Sequence, residues 1–177
     1  MGAIDRNVVE TFLATGANGT STADQGRALE ELICYVFTRV PGISITRRNQ
    51  LNVFQTEEID IALWNDATAD GLFFLPNIVL VECKNWSHPV GSSEVSWFDN
   101  KLRSRGLNYG ILIATNGITG NARELTAAHS LVAGALREGR RLLVFQRHEI
   151  LSLKDAGDLI RMVKEKLCDL AVLGSVT

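Results

Sequence analysis

The sequence predicts an α/β fold, a mixed central sheet flanked by helices, from two features of its patterning and one of its composition. Three strand-like runs follow one another early in the chain, and only afterwards do strands and helices alternate. Consecutive strands on short loops pair antiparallel, whereas a strand–helix–strand crossover makes a parallel pair. The balance of 46% hydrophobic and 21% charged residues over 177 positions suits one sizeable core and is too small for two typical domains. One domain over 1–177 is expected, with its core at about 24–150.

The elements follow in order. The first 22 or so residues end in a Gly/Thr/Ser/Asn-rich stretch, GANGTSTADQG, which reads as a loop with Ser21, Thr22 or Asp24 placed to cap a helix. That helix should run from about Asp24 to Val40, because Leu29, Leu32, Ile33, Val36, Phe37 and Val40 recur with helical period, and Pro41-Gly42 stops it. The three strands are ISITRRNQLNVF, the alternating EEIDIALWN, and NIVLVECKN, whose apolar start suits a central strand buried on both faces. The segment DATADGLFFLPN joins the last two as a hairpin loop. SSEVSWFDNKLRSRG predicts a helix with Val95, Phe98 and Leu102 on one face. YGILIATNG reads as a buried strand, TGNARELTAAHSLVAGALREG as a helix ending at Gly139, RRLLVFQRHEI as a strand, and Asp155 to Leu173 as a last helix.

Several function classes find no support. No apolar run approaches the roughly 18 residues that span a bilayer, and MGAIDRNVVETF has no signal-peptide core. The expected location is therefore cytoplasmic. Cys34, Cys83 and Cys168 are far apart among apolar neighbours, so buried reduced thiols are expected, and no CxxC pattern suggests zinc. GANGTS and TNGITGNA match neither GxxxxGK[ST] nor GxGxxG; TNGITGNA joins a strand to a helix, which keeps a nucleotide- or anion-binding protein as an alternative. The formal net charge of −2 gives no support to a nucleic-acid partner, although basic side chains can still line an acidic site.

Chemistry concentrates on Asp60, Glu82 and Lys84. Glu82 and Lys84 lie two residues apart on one strand and leave the same face, while Val81 and Cys83 leave the other. Asp60 lies on the preceding strand and can stand beside Glu82 if the two pair as a hairpin. Two neighbouring carboxylates repel, and a divalent cation removes the conflict. Mg²⁺, for which Mn²⁺ can substitute, takes oxygen ligands and keeps several waters, and Lys84 can position or deprotonate the attacking water and offset charge on the phosphate. The alternative is a solvated edge strand with Lys84 as a salt-bridge partner.

The set Glu30…Asp60…Glu82-Cys83-Lys84 resembles the active-site signature of the PD-(D/E)xK nuclease superfamily. The helix GRALEEL, the run ECKNW and the later YGILIATNGITGNA resemble the catalytic domains of Mrr-type (type IV) restriction endonucleases, over roughly residues 24–150. Ile59 precedes Asp60 where the superfamily's name has Pro. The resemblance implies a restriction-endonuclease-like fold and a metal-dependent endonuclease acting on DNA, in restriction of foreign DNA or in repair. It implies Asp60 and Glu82 as metal ligands with the Cys83 carbonyl, Lys84 as the residue that orients water, and a Glu on the first helix. Helical phase places Glu30 at the edge of the apolar stripe and Glu31 on the opposite side, which favours Glu30 over Glu31, with ordinary solvated charge the alternative for both. The rival is a non-catalytic module of the same fold that binds nucleic acid or a partner.

Asn85 and Ser93 are candidate substrate contacts, as are Arg47 and Arg48. Lys101, Arg103 and Arg105 are further candidates for phosphate, with a solvated face the alternative for each. Trp86 and His88 lie close to the site. No appended recognition module is visible. Cutting both strands of a duplex asks for two sites, so a homodimer is expected, with VSWFDNKL and LCDLAVLGSV offering apolar surface. The acidic net charge leaves room for a partner protein that delivers the substrate.

Overall fold

The computed structural model describes residues 2–19, 21–52, 56–123 and 126–174. Its elements are α1 (Arg6–Asn18), α2 (Thr22–Phe37), β1 (Ile43–Leu51), β2 (Glu58–Asn65), β3 (Ile78–Lys84), α3 (Ser92–Ser104), β4 (Tyr109–Ala114), α4 (Ala128–Arg137), β5 (Arg141–Phe145), α5 (Arg147–Ser152) and α6 (Ala156–Leu173). The five strands form one sheet in chain order, β1-β2-β3-β4-β5. β1, β2 and β3 pair antiparallel, and β3, β4 and β5 pair parallel. The α/β fold with a mixed sheet flanked by helices is therefore the one the patterning predicts.

The sheet's centre is dry. Val79, Leu80 and Val81 of β3, Ile111 to Ala114 of β4 and Leu142 to Phe145 of β5 are all buried, as expected of parallel strands covered on both faces. α2 packs along β1, β2 and β3, α3 on β4, and α4 and α6 on β5. Ser21 caps α2 by accepting the Asp24 N–H at 3.1 Å, which selects one of the three expected caps.

The structure corrects the sequence analysis in four places. A helix, α1, precedes the expected first helix and absorbs Gly16-Ala17-Asn18 of the predicted loop. Asp5 caps it through the Asn7 N–H at 2.8 Å, and Val9, Leu13 and Gly16 bury one face, so an amphipathic stripe outweighs the polar composition. The helix expected from Thr119 begins only at Ala128. Before it the chain closes on itself: Asn121 N–H donates to Thr126 Oγ1, Thr126 N–H returns to the Asn121 carbonyl, and Gly120 sits at φ +103° with no room for a Cβ beside the Thr126 carbonyl. The last strand stops at Phe145, because Gln146 and Glu149 form a reciprocal cap that turns the next residues into α5. Cys34 and Cys83 are buried as expected, but Cys168 is exposed on α6. Val53 and Phe54 of the first strand, Glu124 and Leu125 of the expected fourth helix, and Ser175 and Val176 of the apolar C-terminal stretch lie outside the described residues.

Candidate active site

The site forms where β2 and β3 part. Their antiparallel register pairs Ile61 with Val81, and one step further brings Asp60 opposite Glu82. The ladder ends there, and the Asp60 side chain takes over: its Oδ2 accepts the Cys83 N–H at 2.7 Å. Asp60 is held above the usual carboxylate range, at about 6, first by burial and then by the Glu82 charge; the Cys83 N–H pulls the other way.

Glu82 is 4% exposed, which is costly for a carboxylate. Two ammonium groups offset that cost. Lys84 Nζ lies 2.8 Å from Glu82 Oε1, and Lys101 Nζ lies 2.7 Å from Oε2. Lys101 comes from α3 and is 3% exposed. For Lys84, burial would lower the pKa, but the neighbouring Glu82 overrides it and the pKa is raised. The Glu82 carboxylate thus favours the protonated ammonium of Lys84. The Cys83 thiol is buried and its pKa is pushed well up, chiefly by desolvation.

Glu82, Lys84, Ser93, Glu94 and Trp97 line a cleft of about 280 Å³. A larger cleft, about 470 Å³, lies past the end of β4 between Asn116 and Gln146. No carboxylate lines it, whereas Glu82 and Lys84 line the smaller one. The two are mechanically joined: Thr115 Oγ1 donates to the Lys84 carbonyl at 3.3 Å, and the Asn116 side chain donates to the Trp86 carbonyl.

The other expected residues divide. Ser93 is in the cleft, its Oγ donating to Glu94 at 2.8 Å. Asn85 uses its amide to tie the end of β3 to α2, donating to the Gln25 carbonyl at 2.9 Å. Arg47 is exposed on the edge strand β1 and donates to the Thr46 carbonyl. Arg48 pairs with Glu31 at 2.8 Å and Glu30 at 3.6 Å. Glu30 also accepts from Asn49 at 2.9 Å. Its side chain is 12% exposed against 45% for Glu31, as the helical phase predicts. Its charge reaches the Cys83 thiol, behind the strand whose other face carries Glu82.

Arg103 pairs with Glu138 and Arg105 with Glu57, each at 2.8 Å. His88 is exposed beside the partly buried Trp86. Lys101, expected on a solvated face or at phosphate, is a buried partner of Glu82. The signal for it was present: on α3 it lies roughly 60° from Phe98, at the edge of the Val95–Phe98–Leu102 stripe, the same reasoning that singles out Glu30. Trp97 was not read as a site residue at all.

Among the described residues, no group of three or more His, Cys, Asp and Glu side chains is placed to hold a metal ion. The donor set that fits one is smaller, namely the Asp60 and Glu82 carboxylates with the Cys83 carbonyl. Such oxygen donors are of the kind a hard cation takes while keeping most of its waters; Asp60 is raised first by burial and only then by the Glu82 charge. Among the described residues, no helix is long and apolar enough to cross a membrane.

No curated protein matches the chain. A family model does, the Mrr catalytic domain of restriction endonucleases, over residues 23–143. The matched segment contains every strand but the last two residues of β5, along with both carboxylates, both lysines and Glu30. By that match over more than half its length, and by the mixed sheet that carries Asp60, Glu82 and Lys84, the chain belongs to the Mrr-type restriction endonuclease family, a nuclease domain of the PD-(D/E)xK type.

Proposed function

We propose that this chain is a divalent-metal-dependent endonuclease that hydrolyses phosphodiester bonds in DNA. The observation that carries the reading is the meeting of Asp60, Glu82 and Lys84 at the open end of the β2–β3 ladder. Asp60 and Glu82, with the Cys83 carbonyl, would hold Mg²⁺ or Mn²⁺. When bound, such an ion lowers the pKa of a coordinated water and stabilises charge building on the phosphate.

The protein's own groups do the rest. Asp60 is held at the strand end by the Cys83 N–H that its Oδ2 accepts, which leaves Oδ1 as the oxygen that would meet the ion. Lys101 keeps Glu82 oriented from behind and leaves Lys84 free to exchange its partner. Lys84, protonated, would donate to the attacking water or to a phosphate oxygen. Glu30 is the helix carboxylate proposed for the site, from its helical phase and low exposure; Arg48 and Asn49 hold its side chain. Ser93 is placed to touch the substrate backbone from the cleft wall. Arg47 and Arg48 would meet substrate only further along β1.

One domain with one such site cuts one strand, so a homodimer is proposed for duplex cleavage. Val95, Phe98 and Leu102 of the expected pairing helix are buried in the protein's own core; Val172 and Leu173 at the end of α6 remain exposed. A partner protein that delivers DNA fits the acidic net charge, and a cytoplasmic location fits a restriction enzyme.

The test is incubation with plasmid, linear, single-stranded and branched DNA, with Mg²⁺, with Mn²⁺ and in chelator. Cleavage is expected only with metal. Lys84→Ala should abolish it while the chain still folds, with a lowered melting temperature because Glu82 loses one of its two counter-charges. Metal-independent cleavage, or full activity of Lys84→Ala, refutes the mechanism; absence of all cleavage favours the non-catalytic module. The preferred substrate decides between restriction of foreign DNA and repair.

A further inference from the structure

Trp97 is 50% exposed, although its neighbours on α3, Val95 and Phe98, are fully packed. Its exposure therefore does not come from a loosely seated helix. Its position is fixed from one turn away. Lys101, at i+4, is buried against Glu82 at 2.7 Å, and Ser93, at i−4, lines the same cleft as Trp97, Glu82 and Lys84. Ser93 and Trp97 thus line the cleft that holds Glu82 and Lys84, and Lys101 anchors the same row of α3 to Glu82.

The other two tryptophans are accounted for. Trp64 donates its indole N–H to Asp66 at 2.8 Å, and Trp86 packs against the core. Among the described residues the Trp97 indole has neither a hydrogen bond nor a ring partner.

Resting on the nuclease reading above, we propose that Trp97 stacks an unpaired nucleobase next to the scissile phosphate. The enzyme then prefers DNA whose bases are unstacked at the cut, as in single strands, flaps and bubbles, over uninterrupted duplex. An indole gains from a base only when one face of that base is free, and inside a duplex both faces are covered. The local charge points the same way. Glu94 stands in the cleft wall, and Lys84 and Lys101 are both committed to Glu82, so the metal-free cleft has little charge to draw phosphate. Stacking supplies affinity without charge, at about 1–3 kcal/mol per base.

The probes are a 12-nucleotide thymidine strand and a blunt duplex of mixed sequence, with binding followed by fluorescence anisotropy in chelator and cleavage followed in Mg²⁺. Trp97→Ala should weaken binding of the single strand about 5- to 150-fold, the equivalent of that stacking energy, and of the duplex less than about 2-fold. It should raise KM for single-strand cleavage and leave kcat nearly unchanged. Trp97→Phe should retain most of the affinity, and both variants should melt close to the unsubstituted chain. Equal losses on both probes, or none, overturn the proposal. So does a Trp97→Ala protein whose only change is loss of a dimer in light scattering, which would make the indole a subunit contact. If the unsubstituted chain cleaves and the Lys84→Ala variant does not, while Trp97→Ala changes nothing, the stacking proposal fails alone. If the unsubstituted chain neither binds nor cleaves DNA, the nuclease reading fails and the proposal falls with it.

Discussion

Replacing Asp60 with Asn should stabilise the metal-free protein, against the usual expectation for removing a buried hydrogen-bonded acid. The folded pKa of Asp60 lies at about 6 against an ordinary 3.8. Between those values the folded chain binds a proton that the unfolded chain does not, so stability falls as pH rises through the window. The loss is complete above about pH 6. At about 1.36 kcal/mol per pH unit, the distance corresponds to about 3 kcal/mol, and relaxation of the surroundings should leave about 2 kcal/mol for the substitution to recover. The Asn carboxamide can still accept the Cys83 N–H, so the strand end keeps its bond. For a chain of this size the gain corresponds to about 4–8 °C in Tm. The assay is thermal unfolding in chelator at pH 4, 5.5 and 7.5. Asp60→Asn should melt above the unsubstituted chain at pH 7.5, with the advantage shrinking toward pH 4. Added Mg²⁺ at about a hundredfold over Kd should then stabilise the unsubstituted chain by about 2.7 kcal/mol and Asp60→Asn much less. A variant that melts lower at pH 7.5 refutes the electrostatic argument, and equal metal-induced shifts refute Asp60 as a ligand.

Other substitutions probe the rest of the site. Lys101→Met should destabilise by about 3–5 kcal/mol, because it strips one of the two counter-charges from buried Glu82; adding Glu82→Gln should restore much of the loss, and additive losses in chemical denaturation would deny the coupling. Glu30→Gln should lower turnover by about tenfold or more, the scale of a lost charged group in catalysis, while Glu31→Gln should change it little; the reverse ranking in steady-state kinetics would mean that the wrong face of α2 has been assigned to the site.

The sheet was legible because its strands announce themselves by period and order. Three runs without intervening helices could only be antiparallel neighbours, and ILIA and LLVF needed helices on both faces. Asp60 and Glu82 were legible as polar breaks in runs of Ile, Val and Leu. What escaped was decided by particular contacts, some local and some across the fold. The cap at Asp5 makes α1 a helix, and the knot of Gly120 with Thr126 delays α4. Lys101 is buried only because Glu82 lies across from it, and a lysine's fate on a helix edge depends on a partner that local sequence does not name. Arg48 is similar: it was read as a phosphate contact, but α2 supplies Glu30 and Glu31 for it.

The strand order has a consequence for assembly. Because spatial order equals chain order, every strand pairs with its neighbour in sequence, and no pairing waits for a distant segment. Loop closure grows costly with separation and slows folding, so the β1–β2–β3 meander is the part of the sheet that can form first. It already contains Asp60 and Glu82. Lys101 arrives only with α3, and the β4 crossover must close before that helix is seated. The acidic pair is thus laid down ahead of its internal counter-charge. Docking of α3 accordingly falls late, and substitutions at Lys101 should act mainly on the unfolding rate, whereas those in the hairpin should act on the rate of folding.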